Sequence, residues 1–381
     1  MNKQTTGYIP ANMPGGPTMN NTCKFNDKII GWWNKNCLFY YPKLLISAYH
    51  LLNSKKTLKI DNYNDLKDYF NIEDDRFLIM DSGGFSMSTL GDIDIKPQQI
   101  IDLSTTFNAD IMMSLDLPPY NLLDESKPFS LPISEFNIKM EKSYENAKYM
   151  SENLDKFNGK YYICVHGDSF DRLDLWFDKH KELKCDGYAL APKDKSNFWK
   201  LARTLVWIYN KGIRENIHFL AFSGINTIPV LVYFSKYIDN LTYDSSSWAG
   251  GAIRREYCLP FLKQKIIYGN STNHNIDLYC NCEICCKMNE MNDFNNDNGG
   301  ALMSMHNLLK YDEMEKLLYS FVNDKILFND VIKTYFNKKL LDVFEYIDFG
   351  IEHGFELAEK RFSYKFSDEI LNTSQPTIFS F

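Results

Sequence analysis

Short apolar runs alternate along this chain with longer amphipathic segments. Seven runs have the length and content of buried strands: Leu44 to Ser47, Phe77 to Met80, Asp110 to Leu115, Tyr161 to Val165, Gly187 to Leu190, His218 to Phe222 and Leu241 to Tyr243. Between them, Pro97 to Phe107 follows a helix-start signal. Ser134 to Asn153 and Phe198 to Lys211 carry apolar residues at helical spacing. Strands alternating with helices predict parallel βα units, and seven such units in about 250 residues predict an α/β chain folded as a (β/α)8 barrel. A doubly wound open sheet is the competing architecture, but no G-x-G-x-x-G follows the first run. Residues 1–28, rich in Gly, Pro, Asn and Thr, read as an irregular lead-in. Residues 29–270 then form the barrel, and 271–381 form a zinc-binding subdomain with C-terminal helices that close it.

The ends of the apolar runs carry a second pattern. One run stops on Asp81-Ser82-Gly83-Gly84-Phe85, one on Asp116, one on His166-Gly167, one on Ser223-Gly224 and one on Asp244. Barrel active sites form at the carboxyl ends of the strands, so three carboxylates and a His converge there if the barrel closes. Carboxylates gathered in one cleft repel, a cost usually met where they do chemistry or bind a ligand with donors. A lone D-S-G-G is more often an ordinary strand-to-loop turn, and the recurrence of the pattern shifts the balance. The glycine pair admits either a tight backbone turn or a close ligand.

Composition narrows the class. The 381 residues are 44% hydrophobic and carry a net charge of −7, so nucleic acid, if bound, meets a local basic patch and not a global one. Arg254-Arg255 with Lys263 and Lys265, and Lys193, Lys195 and Lys200, are such patches; either set also reads as a solvated face. No apolar stretch approaches the ~20 residues of a membrane span, and the N-terminus lacks a signal-peptide core. No membrane association is expected. Four of the nine cysteines fall between Cys280 and Cys286, which points to a reduced compartment and a metal site. Cys280, Cys282 and Cys285 with the later His306 make a closed tetrahedral Zn2+ set of the structural type. Cys286 is read as a non-ligand and His274 as a weaker fourth candidate.

From Leu44 to Asn307 these residues resemble the tRNA-guanine transglycosylase superfamily. Asp81-Ser82-Gly83-Gly84-Phe85 looks like its D-S-G-G-[FY]-Q signature, with Ser86 where Gln is usual. Ala109-Asp110-Ile111-Met112 with Asp116, Asp186-Gly187-Tyr188-Ala189, and His218 through Gly224 resemble further segments of the family. The C-x-C-x-x-C cluster followed by His306-Asn307 resembles its zinc region. His166-Gly167 stands where Gln-Gly is usual. Ala191-Pro192-Lys193 replaces the glycine-rich loop of the queuine-type enzymes, and Ser245-Ser246-Ser247-Trp248 replaces their Cys-x-x-Pro-Thr-Arg. These departures are closer to the archaeosine-type enzymes and to the branch that places 7-deazaguanines into DNA. The chain also ends soon after the metal cluster, so a compact enzyme without added RNA-binding domains is expected.

The resemblance implies exchange of a guanine in DNA or tRNA for a 7-deazaguanine base, preQ0-like (7-cyano-7-deazaguanine), with DNA placed ahead. It implies Asp244 as nucleophile and Asp81 as the proton-transfer group. Asp116 has two acceptor oxygens that match the N–H donors of a guanine edge. Ser82, Gly83, Phe85, His166, Gly167 and Ala191 are the further base-site candidates, and Arg254 and Arg255 the phosphate contacts. Phe85 and Tyr188 are stacking candidates, though strand-end aromatics are more often core. His166 reads equally as a satisfied core histidine. A cytoplasmic location (the host's, for a phage-encoded chain) and a homodimer are compatible with this reading. Two alternatives stay open: a tRNA-specific enzyme, and a non-catalytic paralogue that binds nucleic acid. A zinc hydrolase is disfavoured because a Cys-rich set leaves no open metal position.

Overall fold

The computed structural model describes residues 6–12, 23–91, 93–122, 128–191, 197–222, 224–254, 256–259, 265–267, 280–287 and 298–372. Eight parallel strands close a barrel: β1 (Gly7–Asn12), β2 (Lys43–Ser47), β3 (Phe77–Asp81), β4 (Ile111–Met113), β5 (Lys160–Val165), β6 (Gly187–Leu190), β7 (Glu215–Phe219) and β8 (Asp239–Ser245). Each pairs with its sequence neighbours, and β1 closes the ring between β8 and β2. Each of the seven expected runs coincides with or overlaps a barrel strand, though the runs Asp110 to Leu115 and His218 to Phe222 extend past strands that end at Met113 and Phe219. The eighth strand corrects the expectation for residues 1–28, since β1 lies inside the supposed lead-in. Its sequence, Gly-Tyr-Ile-Pro-Ala-Asn, holds a proline that cannot donate to a ladder, the usual argument against a central strand.

Alternation along the strands builds two cores. Ile9, Leu45, Ile79, Ile111, Met113, Tyr162, Cys164 and Ala189 fill the barrel interior. Their neighbours, such as Leu44, Leu78, Tyr161, Tyr188 and Tyr243, face the helices. Inward parity then brings Asp81, at the end of β3, and His218 and Asp244, next to last in β7 and β8, to the mouth. β7 stops at Phe219, short of the expected Phe222, because Ala221 adopts φ +63°, a left-handed conformation no strand accommodates.

The helices follow local rules. In α1 (Ala48–Thr57), α2 (Tyr63–Phe70) and α3 (Gly84–Leu90), only α2 has a side-chain N-cap, Asn62 accepting from the Asp65 N–H. α4 (Pro97–Thr106) starts on a proline, with the Lys96 N–H donating to Gln99 at 2.9 Å. α5 (Ile133–Glu152), α6 (Phe170–His180) and α7 (Phe198–Asn210) complete the expected set, with Ser169 and Asn197 capping the last two. α8 (Ile228–Phe234) and α9 (Ser247–Ile253) follow β7 and β8. No helix among the described residues is long and apolar enough to cross a membrane.

α10 (Gly299–Phe321), α11 (Lys325–Tyr335), α12 (Leu340–His353) and α13 (Phe355–Asn372) pack on the outside, α10 against α9 and β1, and α12 against α7. The contact of α10 with the barrel is polar and buried. Glu315 accepts from the Tyr8 N–H and, at 2.7 Å, from the Tyr243 hydroxyl. Asp312 accepts from Tyr41 at 3.1 Å. Burial pushes the Glu315 carboxyl above its usual range. Gly7, at φ +90°, has to be glycine: a Cβ there would come within 2.2 Å of Glu315 Oε1.

Candidate active site and metal centre

The mouth of the barrel is built from two walls. On the first, β3 ends in Asp81 and the chain turns at once through Ser82, Gly83 and Gly84. The glycines serve the turn. A Cβ on Gly83 (φ +80°) would meet Tyr49 Cβ at 2.4 Å, and one on Gly84 would meet the Asp116 carbonyl at 2.1 Å. The loop therefore lies directly on the junction of β2 and α1 and on the segment that follows β4, and this packing accounts for both glycines. The close approach is to the protein's own backbone.

That contact delivers Ser82 to Asp116. Ser82 Oγ donates to Asp116 Oδ1 at 2.9 Å, and His166 Nε2 lies 2.7 Å from Oδ2. All three are buried. Burial alone would raise the Asp116 carboxyl; the hydrogen bonds from His166 and Ser82 outweigh it and hold the group below the usual carboxylate range. The His166 ring is held edge-on to Trp176 (5.0 Å) and Tyr120 (5.7 Å), and its Nδ1 is buried without a partner among the described residues. Asp81 sits beside this group, half-buried, with the Gly83 N–H donating to Oδ2 at 3.2 Å. Desolvation, with the negative charges of Asp116 and Asp244, pushes its carboxyl from 3.8 up to about 7. Asp81 can therefore hold or release a proton near neutrality.

The second wall carries Asp244. Its Oδ1 accepts from the Ala221 N–H at 2.9 Å and lies 3.1 Å from His218 Nε2. His218 is fully buried, and its Nδ1 lies 2.8 Å from Thr242 Oγ1. Among the described residues both recorded bonds fall on Oδ1 and none on Oδ2. Of this wall only Asp244 is expected from the sequence. His218 was noted only within a motif, yet positions 218, 242 and 244 share inward parity on adjacent strands, and that signal was available.

The remaining candidates divide. Gly167 is close-packed: its N–H donates to Tyr120 Oη at 3.0 Å, and a Cβ there would meet the Leu173 backbone N at 2.5 Å. The same Tyr120 hydroxyl donates to the Ala191 carbonyl at 3.1 Å, tying the ends of β5 and β6 together. Phe85 is 46% exposed on α3 and free to meet a ligand. Tyr188 is not: it faces outward and packs on Phe177 at 5.3 Å, because parity gives the interior to Ala189. Tyr243 and Trp248, flanking Asp244 in sequence, also turn away from it, towards Glu315 and Trp32 respectively. Arg254, at the end of α9, is paired with Glu256 at 3.1 Å. Lys200 Nζ donates to the Asp168 carbonyl at 3.2 Å. Arg255, Pro192, Lys193, Lys195, Ser223, Lys263 and His274 lie outside the described residues, as does the side chain of Lys265. A cavity of about 430 Å3 opens at the opposite end of the barrel, lined by Phe77, Lys160, Tyr162 and Asn240 among others. It is remote from these carboxylates and plays no part in the site.

The sulfur cluster is assembled as expected. One ligand atom each from Cys280, Cys282, Cys285 and His306 all lie within 4.8 Å of one another. Tetrahedral bonds of about 2.3 Å to sulfur and 2.0 Å to nitrogen fit such an envelope, so the four could hold a metal ion. His306 Nδ1 faces Cys285 Sγ (3.3 Å) and Cys282 Sγ (3.4 Å) because Nε2 bonds the Cys258 carbonyl at 2.7 Å. Tyr257 stacks on the imidazole at 3.8 Å, and Asn307 joins the strand Glu256–Cys258 to Trp248. Cys286 is exposed and outside the group.

No family model matches the chain. A curated relative, the tRNA-guanine(15) transglycosylase of Methanosphaera stadtmanae, is 23% identical over 258 residues, 65% of this chain. The chain spans about a third of that protein's length, 35%. The similarity is distant, and it is to a guanine transglycosylase.

Proposed function

We propose that this protein is a base-exchange transglycosylase, which removes guanine from a polynucleotide and installs a 7-deazaguanine base, 7-cyano-7-deazaguanine being the leading candidate. The observation that carries the reading is the pair of unlike carboxylates at one mouth. Asp81 is poised to exchange a proton near neutrality, and among the described residues the bonds to Asp244 fall on one oxygen and leave the other open. The distant transglycosylase relative supports it.

In this scheme Asp244 Oδ2 attacks C1′ of the target nucleotide. The C1′–N9 bond breaks, its electron pair leaves with guanine, and Asp81 supplies the proton. Asp81, now ionised, takes the proton from the incoming base. That base attacks C1′, and the C1′–Oδ2 bond breaks back to the Asp244 carboxylate. Two displacements give retention. Asp116 reads the N–H edge of the base with the lone pairs that Ser82 and His166 leave it. Ser82, Gly83, Gly167 and Ala191 shape that wall, Phe85 offers a stacking face, and Arg254 and Arg255 meet phosphates. The target nucleotide must swing out of its stack to reach the mouth. The Cys3His group binds Zn2+ as a structural ion that ties α10 and the Glu256–Cys258 strand together. The ion takes no part in the exchange.

DNA is placed ahead of tRNA on the substitutions at Ala191 and at Ser245 to Trp248. The tRNA reading keeps its own support in the name of the relative. Nucleoside mass spectrometry on DNA and on tRNA from cells with and without the protein tests both. A 7-deazaguanosine that appears only with the protein supports the proposal and names the polymer. The absence of any modified guanine in either polymer, with the precursor base supplied, contradicts it.

A further inference from the structure

The Asp244 carboxylate is held asymmetrically, and the asymmetry has a mechanistic use. His218 Nε2 and the Ala221 N–H both address Oδ1. Two features show that this arrangement is built in. Ala221 holds φ +63°, a left-handed conformation strained for a non-glycine residue, and that conformation accompanies the N–H bond to the carboxylate. His218 is completely buried; a carboxylate oxygen only accepts, so Nε2 carries the proton that faces Asp244, while Nδ1 lies 2.8 Å from Thr242 Oγ1.

We propose that His218, set by Thr242, is a positioning residue for Asp244 whose main effect falls on the second displacement. The inference rests on the base-exchange reading. In the first step, bonding at Oδ1 fixes the carboxylate plane so that Oδ2 alone attacks C1′. Once the ester has formed, Oδ1 is its carbonyl oxygen and Oδ2 its bridging oxygen. When the incoming base attacks C1′, the C1′–Oδ2 pair returns to the carboxylate, and charge spreads onto Oδ1. The His218 and Ala221 donors meet that charge without rearrangement. A donor on Oδ1 makes Asp244 a better leaving group and a slightly weaker nucleophile. Its loss therefore slows resolution of the ester more than its formation.

The test separates the two steps. A labelled guanine-containing oligonucleotide is incubated with the wild-type protein, His218→Phe, His218→Gln and Thr242→Val. Covalent adduct is followed on denaturing gels while it forms, and again after 7-cyano-7-deazaguanine is added. His218→Phe should form adduct within a few-fold of the wild-type rate and resolve it roughly 10–100-fold more slowly, so that adduct accumulates. His218→Gln, whose amide N–H reaches the same position, should recover most of the resolution rate. Thr242→Val should shift the same ratio by a smaller factor. Equal resolution rates in His218→Phe and wild type overturn the inference and leave base exchange standing. If His218→Phe does not fold, an unchanged ratio in both His218→Gln and Thr242→Val overturns it as well. A wild-type protein that neither forms an adduct nor exchanges base removes the reading beneath it.

Discussion

The Cys3His cluster and the barrel mouth are both groups of polar side chains gathered against apolar cores, and they are finished differently. In the cluster each ligand faces the others. Outside it, His306 Nε2 has the Cys258 carbonyl, Cys285 has Tyr257 Oη at 3.0 Å, and Asn307 spends both ends of its amide on backbone groups. At the mouth, bonding stops short. Among the described residues His166 Nδ1 is buried without a partner and Asp244 carries both recorded bonds on one oxygen, and burial, with its neighbours' charge, drives Asp81 up to about 7. On the proposed reading the closed set holds structure together, and the incomplete one keeps capacity for a substrate. Damage to the first should cost the fold, and damage to the second should cost chemistry and spare the fold.

The largest effect is expected at the cluster. Cys282→Ala, or stripping the metal with a chelator, should loosen α10 from α9, because structural zinc contributes on the order of 10 kcal/mol to folding in small modules. Metal analysis should find about one zinc per chain, and melting should occur at much lower temperature in the variant. Folded, active protein without metal would erase the contrast. At the mouth, Asp116→Asn should leave the melting temperature nearly unchanged while base affinity falls roughly 5–150-fold. The amide places a donor against the base's own N–H groups, and an unpaired buried polar group costs about 1–3 kcal/mol. Unchanged affinity by calorimetry would take Asp116 out of the base site.

Asp81 gives a smaller effect with a definite sign. Its folded carboxyl is raised from 3.8 to about 7, so the native state prefers it neutral. The stability this group contributes is complete below about pH 4 and is lost as pH climbs through 7. Asp81→Asn lacks the loss. It should match the wild type near pH 4 and exceed it above pH 7, by at most about 4 kcal/mol, while turnover disappears. Denaturant melts across that range read the difference, and a variant less stable at high pH would reverse the assignment. The smallest effect belongs to Arg254→Ala. Glu256 already holds the guanidinium, so the variant should bind oligonucleotide only slightly more weakly, with a log–log salt slope shallower by about 1. An identical slope would place Arg254 outside the interface.

Seven of the eight barrel strands were legible as apolar runs, and the metal group was legible from its spacing. β1 was hidden because Pro10 and Gly7 mark it as loop, and because its reason for being a strand lies far away, in Glu315 on α10. The strand-end carboxylates were visible one at a time. What joins them was not: the Ser82–Asp116–His166 chain and the Thr242–His218–Asp244 chain depend on register between neighbouring strands. Parity would have found His218 and would have excluded Tyr188 and Tyr243. The role of Gly83 and Gly84 was legible only as a choice between a turn and a ligand, and the packing on Tyr49 and Asp116 decides it.

The most direct test of base exchange through Asp244 is the covalent adduct itself. Labelled guanine-containing DNA and RNA are incubated with wild type, Asp244→Ala and Asp81→Ala, quenched and resolved on denaturing gels. The account predicts an adduct with wild type, none with Asp244→Ala, and residual adduct with Asp81→Ala when the target carries a leaving group that needs no protonation. An adduct that survives in Asp244→Ala and vanishes in Asp81→Ala would exchange the two roles, and base exchange with no adduct in any of the three would mean that the reaction does not pass through an Asp244 ester.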